Sequence, residues 1–213
     1  MDFYKQLFKN NHDWVDKKTA QNPHYFTELA SGQKPPMLYI GCSDSRIPPN
    51  EMTGTLPGEV FVQRNIANMV VHTDMNLLSV LDYAVNVLEV KHVIIAGHYG
   101  CGGVKAAMGN GQYGIIDNWL RHIKDVYRIH QDELENIENL DTRLDRFVEL
   151  NVVEQVYNLA KTSIVQNSWQ SKALPYVHGW VIDINTGYIK DLNVTMHSND
   201  EMPEIFRFEK RKV

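Results

Sequence analysis

Apolar side chains at Phe3, Leu7, Phe8, Trp14 and Val15 recur with the spacing of one helix face, which predicts an amphipathic helix over residues 3 to 19. Such a helix either covers its own core or packs outward against another subunit. Pro35-Pro36 interrupts the pattern and introduces Met37-Leu38-Tyr39-Ile40, a short apolar run that reads as a buried strand. It stops at Gly41-Cys42-Ser43-Asp44-Ser45-Arg46. Residues 59 to 63 predict a second strand. Asp74 is placed to cap a helix from about Met75 to Glu89, whose Leu77, Leu78, Leu81, Ala84, Val85 and Leu88 keep the helical period. A third apolar run, His92 to Ala96, ends in Gly97 and leads into His98-Tyr99-Gly100-Cys101-Gly102-Gly103, with a helix beginning near Cys101 or Gly102. Residues 115 to 140 read as helical but polar. Residues 142 to 168 read as one longer helical stretch carrying Leu144, Phe147, Val148, Val152, Val156, Leu159 and Ile164. Tyr176 to Ile184 and Tyr188 to Val194 flank Asn185-Thr186-Gly187, a hairpin signal.

Strands that are apolar throughout, alternating with helices, belong to parallel sheets covered on both faces. The expected fold is therefore α/β. It has a central, mostly parallel sheet with an antiparallel edge hairpin, flanking helices and a projecting N-terminal helix. No repeat or linker divides the chain, so residues 1–213 read as one domain with residues 1–30 as a helical arm.

Composition narrows the functions this fold can serve. With 213 residues, 43% hydrophobic and 22% charged, the chain can bury a core without disulfide staples. Lys and Arg total 21 against 26 Asp and Glu, a formal charge of -5, and no basic stripe is visible for nucleic acid. No apolar run approaches the roughly 18 residues of a membrane span. The opening MDFYKQLFKNNHDW has neither a basic n-region nor an apolar h-region, so the expected location is cytoplasmic. The two cysteines, Cys42 and Cys101, are not expected to form a disulfide there, which leaves metal binding, nucleophilic chemistry or inert burial.

Their surroundings favour a metal. In open α/β sheets ligands sit beyond the carboxyl ends of the strands, where both cysteines are expected. The first loop offers Cys42, Asp44 and Arg46; the second offers His98 and Cys101 as a closely spaced half-site. Thiolate and imidazole are ligands that zinc prefers, and three of them leave a fourth tetrahedral position open, as catalytic sites do. A structural zinc would instead need Asp44 or another His as a permanent fourth ligand. A phosphatase loop is disfavoured, because Cys42 and Arg46 are too close in sequence and Pro48-Pro49 removes two amide donors. The glycine-rich turn after Gly97 lacks both dinucleotide and P-loop order.

The segments Gly41-Cys42-Ser43-Asp44-Ser45-Arg46, Arg64-Asn65-Ile66-Ala67-Asn68 and Gly97-His98-Tyr99-Gly100-Cys101-Gly102-Gly103 closely resemble the β-class carbonic anhydrases. The likeness runs on through residues 75–89, Glu149-Leu150-Asn151-Val152 and Val177-His178-Gly179-Trp180. It implies a zinc lyase interconverting CO2 and bicarbonate by a hydroxide on zinc, with one Zn²⁺ per chain on Cys42, His98 and Cys101. Asp44 and Arg46 become the paired residues beside the metal, and Asp44 becomes a fourth ligand in a closed state. Gln33, Phe61, Ile66 and Tyr83 fall where the family lines its CO2 pocket at a dimer interface, which implies a homodimer or a dimer of dimers. Arg64 matches one residue of the regulatory bicarbonate site found in some members. The other two positions carry Tyr39 and Ile182 in place of Trp and Tyr, which departs from that pattern. The alternatives to this reading are a related carbonyl sulfide or carbon disulfide hydrolase, and a catalytically silent zinc-binding protein with Asp44 locked on the metal.

Overall fold

The computed structural model describes residues 2–209. It divides into two compact units, one up to Lys34 and one from Pro35 onward. The first holds α1 (Phe3–Gln21) and α2 (Tyr25–Ala30), with Asp2 capping α1 through Tyr4 N. Trp14 meets Phe26 edge to face at 5.2 Å. None of the α1 residues is buried, and Phe3, Tyr4, Leu7 and Phe8 lie open.

The second unit runs β1 (Met37–Cys42), α3 (Pro49–Thr53), β2 (Val60–Asn65), α4 (Met75–Asp82), β3 (His92–His98), α5 (Gly102–Met108), α6 (Ile116–Ile129), α7 (Gln131–Glu135), α8 (Leu140–Ala160), α9 (Ser163–Lys172), β4 (Tyr176–Ile182) and β5 (Ile189–Met196). The sheet order is β2-β1-β3-β4-β5. The first four strands are parallel and β5 is antiparallel to β4, so the expected α/β class and edge hairpin stand. Leu38, Tyr39 and Ile40 of β1 and Val93 to Ala96 of β3 are buried, as the apolar runs predict. The runs continue as strand further than their apolar pattern showed. β1 reaches Cys42 and β3 reaches His98, because ladder pairing does not depend on side-chain polarity.

Two helical expectations need correction. The helix capped by Asp74 passes into a π-helical turn at Tyr83–Val87, and Glu89 closes it at φ 53°. The stretch 142 to 168 is two helices. The Thr162 hydroxyl both donates to Leu159 O and accepts from Val165 N, ending α8 and capping α9.

Helix α8 lies on β3, β4 and β5. Gly179 leaves room for that approach: a Cβ there would stand 3.0 Å from Val152 Cγ1 and 3.2 Å from Val156 Cγ2 of α8, and 2.6 Å from Val194 Cγ1 of β5. Gly179→Ala is therefore expected to destabilise the fold by about 1–3 kcal/mol through overpacking, read as a lower urea midpoint. An unchanged midpoint would mean that α8 and the Val194 side chain can both give way at no cost.

Candidate metal centre

Strands β1 and β3 are direct neighbours, so their carboxyl ends bring the two predicted loops together. Cys42 is the last residue of β1 and His98 the last of β3; Cys101 sits at the N-cap of α5. The ligand atoms of these three buried residues lie within 4.8 Å of one another. No other such group of His, Cys, Asp or Glu occurs among the described residues.

The donor set fits zinc. The two sulfurs are 3.9 Å apart. Two sulfurs at about 2.3 Å from one tetrahedral ion stand roughly 3.8 Å apart. His98 is fully buried, and its Nε2 has no hydrogen-bond partner, an unpaid cost unless a cation takes that lone pair. Its Nδ1 donates to Tyr99 O at 3.0 Å, which settles the tautomer, since a carbonyl oxygen only accepts.

The surroundings favour one ionised sulfur of the two, that of Cys42. The hydrogen bond from Cys101 is the main cause that holds the Cys42 thiol well below its usual range, against burial, with His98 and the Ala67 amide assisting. The same contact with Cys42 pushes Cys101 up. The one proton held between this thiolate and thiol is what a divalent ion displaces. Burial disfavours His98 in its protonated form, but the hydrogen bond and charge of Cys42 outweigh it and hold the imidazole above its usual range.

Asp44 stands beside the cluster, with Oδ2 3.7 Å from His98 Nε2. It is gripped by Arg46: Nε donates to Oδ1 at 2.9 Å, a terminal nitrogen to Oδ2 at 2.7 Å and the backbone amide to Oδ1 at 3.0 Å. That grip holds the Asp44 carboxyl well below the usual carboxylate range. The folded state therefore favours the ionised form. The benefit is present above the ordinary carboxylate pKa and is lost as pH falls through the depressed one.

Arg64 is committed elsewhere. From β2 it donates to Cys42 O at 2.8 Å and to Asp44 O, so it braces the first loop through its carbonyls. Tyr39 is buried against Gly41, and burial pushes its unpartnered hydroxyl up to about 12. Ile182 is buried at the end of β4. Of the pocket candidates, Ile66 is part-exposed and stands over Gly103, where a Cβ would lie 2.7 Å from its Cγ2. Phe61 faces Tyr83 with ring centroids 5.8 Å apart, and Tyr83 is 44% exposed. Gln33 is exposed and belongs to the N-terminal unit, outside the set the second unit assembles.

The loop between β2 and α4 carries strain that composition does not reveal. Ala67 and Asn68 have φ of 64° and 49°, a conformation costly for residues with a Cβ. Asn151 on α8 donates to Ala67 O at 3.1 Å, Asn65 exchanges two bonds with Met69, and Trp119 Nε1 donates to Ile66 O. These contacts hold the Ala67 amide on Cys42 Sγ. Asn151 and Gln155 have no role assigned from sequence. Their signal is there nonetheless: polar side chains inside the apolar stripe of a long helix, which must find partners when buried.

Three comparisons bear on this geometry. A family model described as carbonic anhydrase matches residues 37–189. A carbonic anhydrase of Emericella nidulans is 49% identical over 191 residues, 90% of this chain and 84% of that protein. Among solved structures, a tetrameric β-carbonic anhydrase of Sordaria macrospora superposes with a TM-score of 0.88 at 40% identity, covering 92% of this chain and all of that one. A Coccomyxa β-carbonic anhydrase in complex with acetazolamide gives 0.89 at 35% identity, covering 94% and 91%.

Proposed function

The chain belongs to the β-class carbonic anhydrase family, and from that membership we propose that Asp44 and Arg46 are the residues that act on water and CO2 beside the metal. The activity is the reversible hydration of CO2 to bicarbonate, dependent on zinc. Zinc, when bound, supplies Lewis acidity that makes water available as hydroxide near neutral pH. Cys42, His98 and Cys101 hold the ion. Asp44, acceptor-only and kept ionised by Arg46, accepts a hydrogen bond from the attacking water and aims its lone pair at the substrate carbon. Ile66, Phe61 and Tyr83 supply apolar surface for a small linear molecule.

The single observation that carries the assignment of roles is the bidentate Arg46–Asp44 pair next to a three-ligand cluster. A carboxylate occupied by a guanidinium is not spent as a fourth ligand, which speaks against the silent zinc-binding alternative. The commitment of Arg64 to two carbonyls, with Tyr39 and Ile182 buried, speaks against a regulatory bicarbonate site at those residues.

The Sordaria relative is tetrameric, and we assign this chain to a homo-oligomer, a dimer or a dimer of dimers, in which the exposed aromatic stripe of α1 meets a second copy. No helix among the described residues is long and apolar enough to cross a membrane. Two buried free cysteines serving as ligands suit a reducing compartment, the cytoplasm.

Stopped-flow CO2 hydration against pH, with zinc measured on the same sample, tests the reading. Cys42 and Cys101 bring more negative charge to the ion than imidazoles would, so its acidity is weakened and the rate is expected to climb from neutral to alkaline pH. Asp44 stays ionised throughout and adds no step of its own to that profile. A rate that is dead from about pH 6 to 9 restores the silent alternative. Sulfide release from carbonyl sulfide that outpaces CO2 hydration restores the hydrolase alternative.

A further inference from the structure

The lone pair that His98 offers depends on the nitrogen at the other side of its ring. Nδ1 carries its proton because Tyr99 O lies 3.0 Å away to receive it. Wherever that carbonyl goes, the imidazole must follow.

Tyr99 is the first residue past β3, and its backbone is tied on one side only, by its amide to Ile182 O at 3.0 Å. The rest of its anchorage is through the side chain. The phenol donates to Glu149 Oε1 at 2.6 Å. Glu149 projects from α8, is 8% exposed, and also receives Lys190 Nζ of β5 at 2.7 Å and Arg146 from its own helix at 2.9 Å. Burial alone would raise its carboxyl, but the bonds from Lys190, Tyr99 and Arg146 outweigh that and hold it below the usual range. A carboxylate buried among three donors is a rigid acceptor, because moving it would strand charge in a low-dielectric setting. Nothing in the hydration chemistry described above uses this network.

We propose that Glu149 and Tyr99 form a positioning clamp for the metal-binding histidine: Glu149 fixes the Tyr99 ring, and the ring fixes the carbonyl that orients His98. The proposal rests on the zinc reading of Cys42, His98 and Cys101. It makes α8 and β5, which contribute no ligand, part of what holds the ion. Outer partners of ligating histidines are worth roughly 10–100-fold in metal affinity. A tie that merely braces the fold would cost stability and leave the affinity alone.

The experiment uses the full zinc-loaded chain and follows transfer of zinc to a chromogenic chelator, with thermal midpoints recorded alongside. Tyr99→Phe removes one oxygen atom and keeps the ring; it is expected to weaken zinc binding by about tenfold. Glu149→Leu is expected to do the same. Glu149→Gln keeps an oxygen to accept the phenol proton, so it is expected to retain zinc while its thermal midpoint falls. Tyr99→Phe holding zinc as tightly as the parent overturns the clamp, and that variant suffices if Glu149→Leu does not fold. Zinc loss in Glu149→Gln equal to that in Glu149→Leu also overturns it, since charge rather than the bond to Tyr99 would then be the cause. A parent chain that binds no zinc overturns the clamp and the zinc reading together, an outcome separate from any variant result.

Discussion

Cys42→Ala is expected to emerge from purification without zinc and without measurable CO2 hydration. Two ligands remain after the change, His98 and Cys101, and they share one short stretch of chain. The ligand lost is the one that ties β1 to β3 across the metal, and a tetrahedral ion with two protein ligands is held far more weakly than with three. Zinc affinity is expected to fall by more than the roughly 100-fold that outer-partner substitutions reach. The fold should survive, because Cys42 occupies one position at the end of a buried strand and alanine leaves only a small void there. Metal content, turnover and thermal midpoint measured on one preparation separate these effects. A zinc-free variant that hydrates CO2 at the parent rate would contradict the whole account of the centre.

Asp44→Asn is expected to keep its zinc and lose turnover by roughly 10²- to 10⁴-fold, the range seen when a group that handles a proton in the transition state is removed. The amide is the same size, yet it offers one acceptor oxygen instead of two and carries no charge for Arg46 to grip. Water beside the metal then loses its fixed acceptor. Arg46→Ala should behave differently. It leaves the carboxylate in place but frees it from its bidentate hold, and Asp44 Oδ2 is already 3.7 Å from His98 Nε2. A freed carboxylate competes with hydroxide for the open position, and hydroxide grows scarcer as pH falls. The Arg46→Ala deficit should therefore deepen towards acid, whereas the Asp44→Asn deficit should be nearly constant with pH. Equal profiles for the two variants would mean that Arg46 does more than restrain Asp44.

The elements that sequence revealed are those whose signal is local. The apolar runs 37–40 and 92–96 are strands because uninterrupted apolar residues suit a sheet covered on both faces. Asn185-Thr186-Gly187 marks a hairpin because Gly187 adopts φ 77°, which few other residues accept. Asp74 caps its helix through the amides of Asn76 and Leu77. The stretch 142 to 168 misled because apolar periodicity carries through Thr162. Whether a threonine continues a helix or caps the next depends on its hydroxyl finding a free amide, and periodicity does not register that.

Residue chemistry by itself pointed to a metal centre, and the family resemblance named its ligands. Two cysteines and one histidine expected at strand ends, with one Asp and one Arg nearby, favour a thiolate-rich zinc site over inert burial, since ligand preference belongs to the side chain and not to the fold. Tertiary structure alone decided that β1 lies next to β3, so that Cys42 meets His98 and Cys101 at all. It also decided that Arg46 closes on Asp44, that Arg64 braces two carbonyls, and that Glu149 of α8 reaches Tyr99 beside the ligand. Each of these is a contact whose partner is set by how the sheet orders its strands or by which rotamer wins a shared proton, and one-dimensional spacing encodes neither.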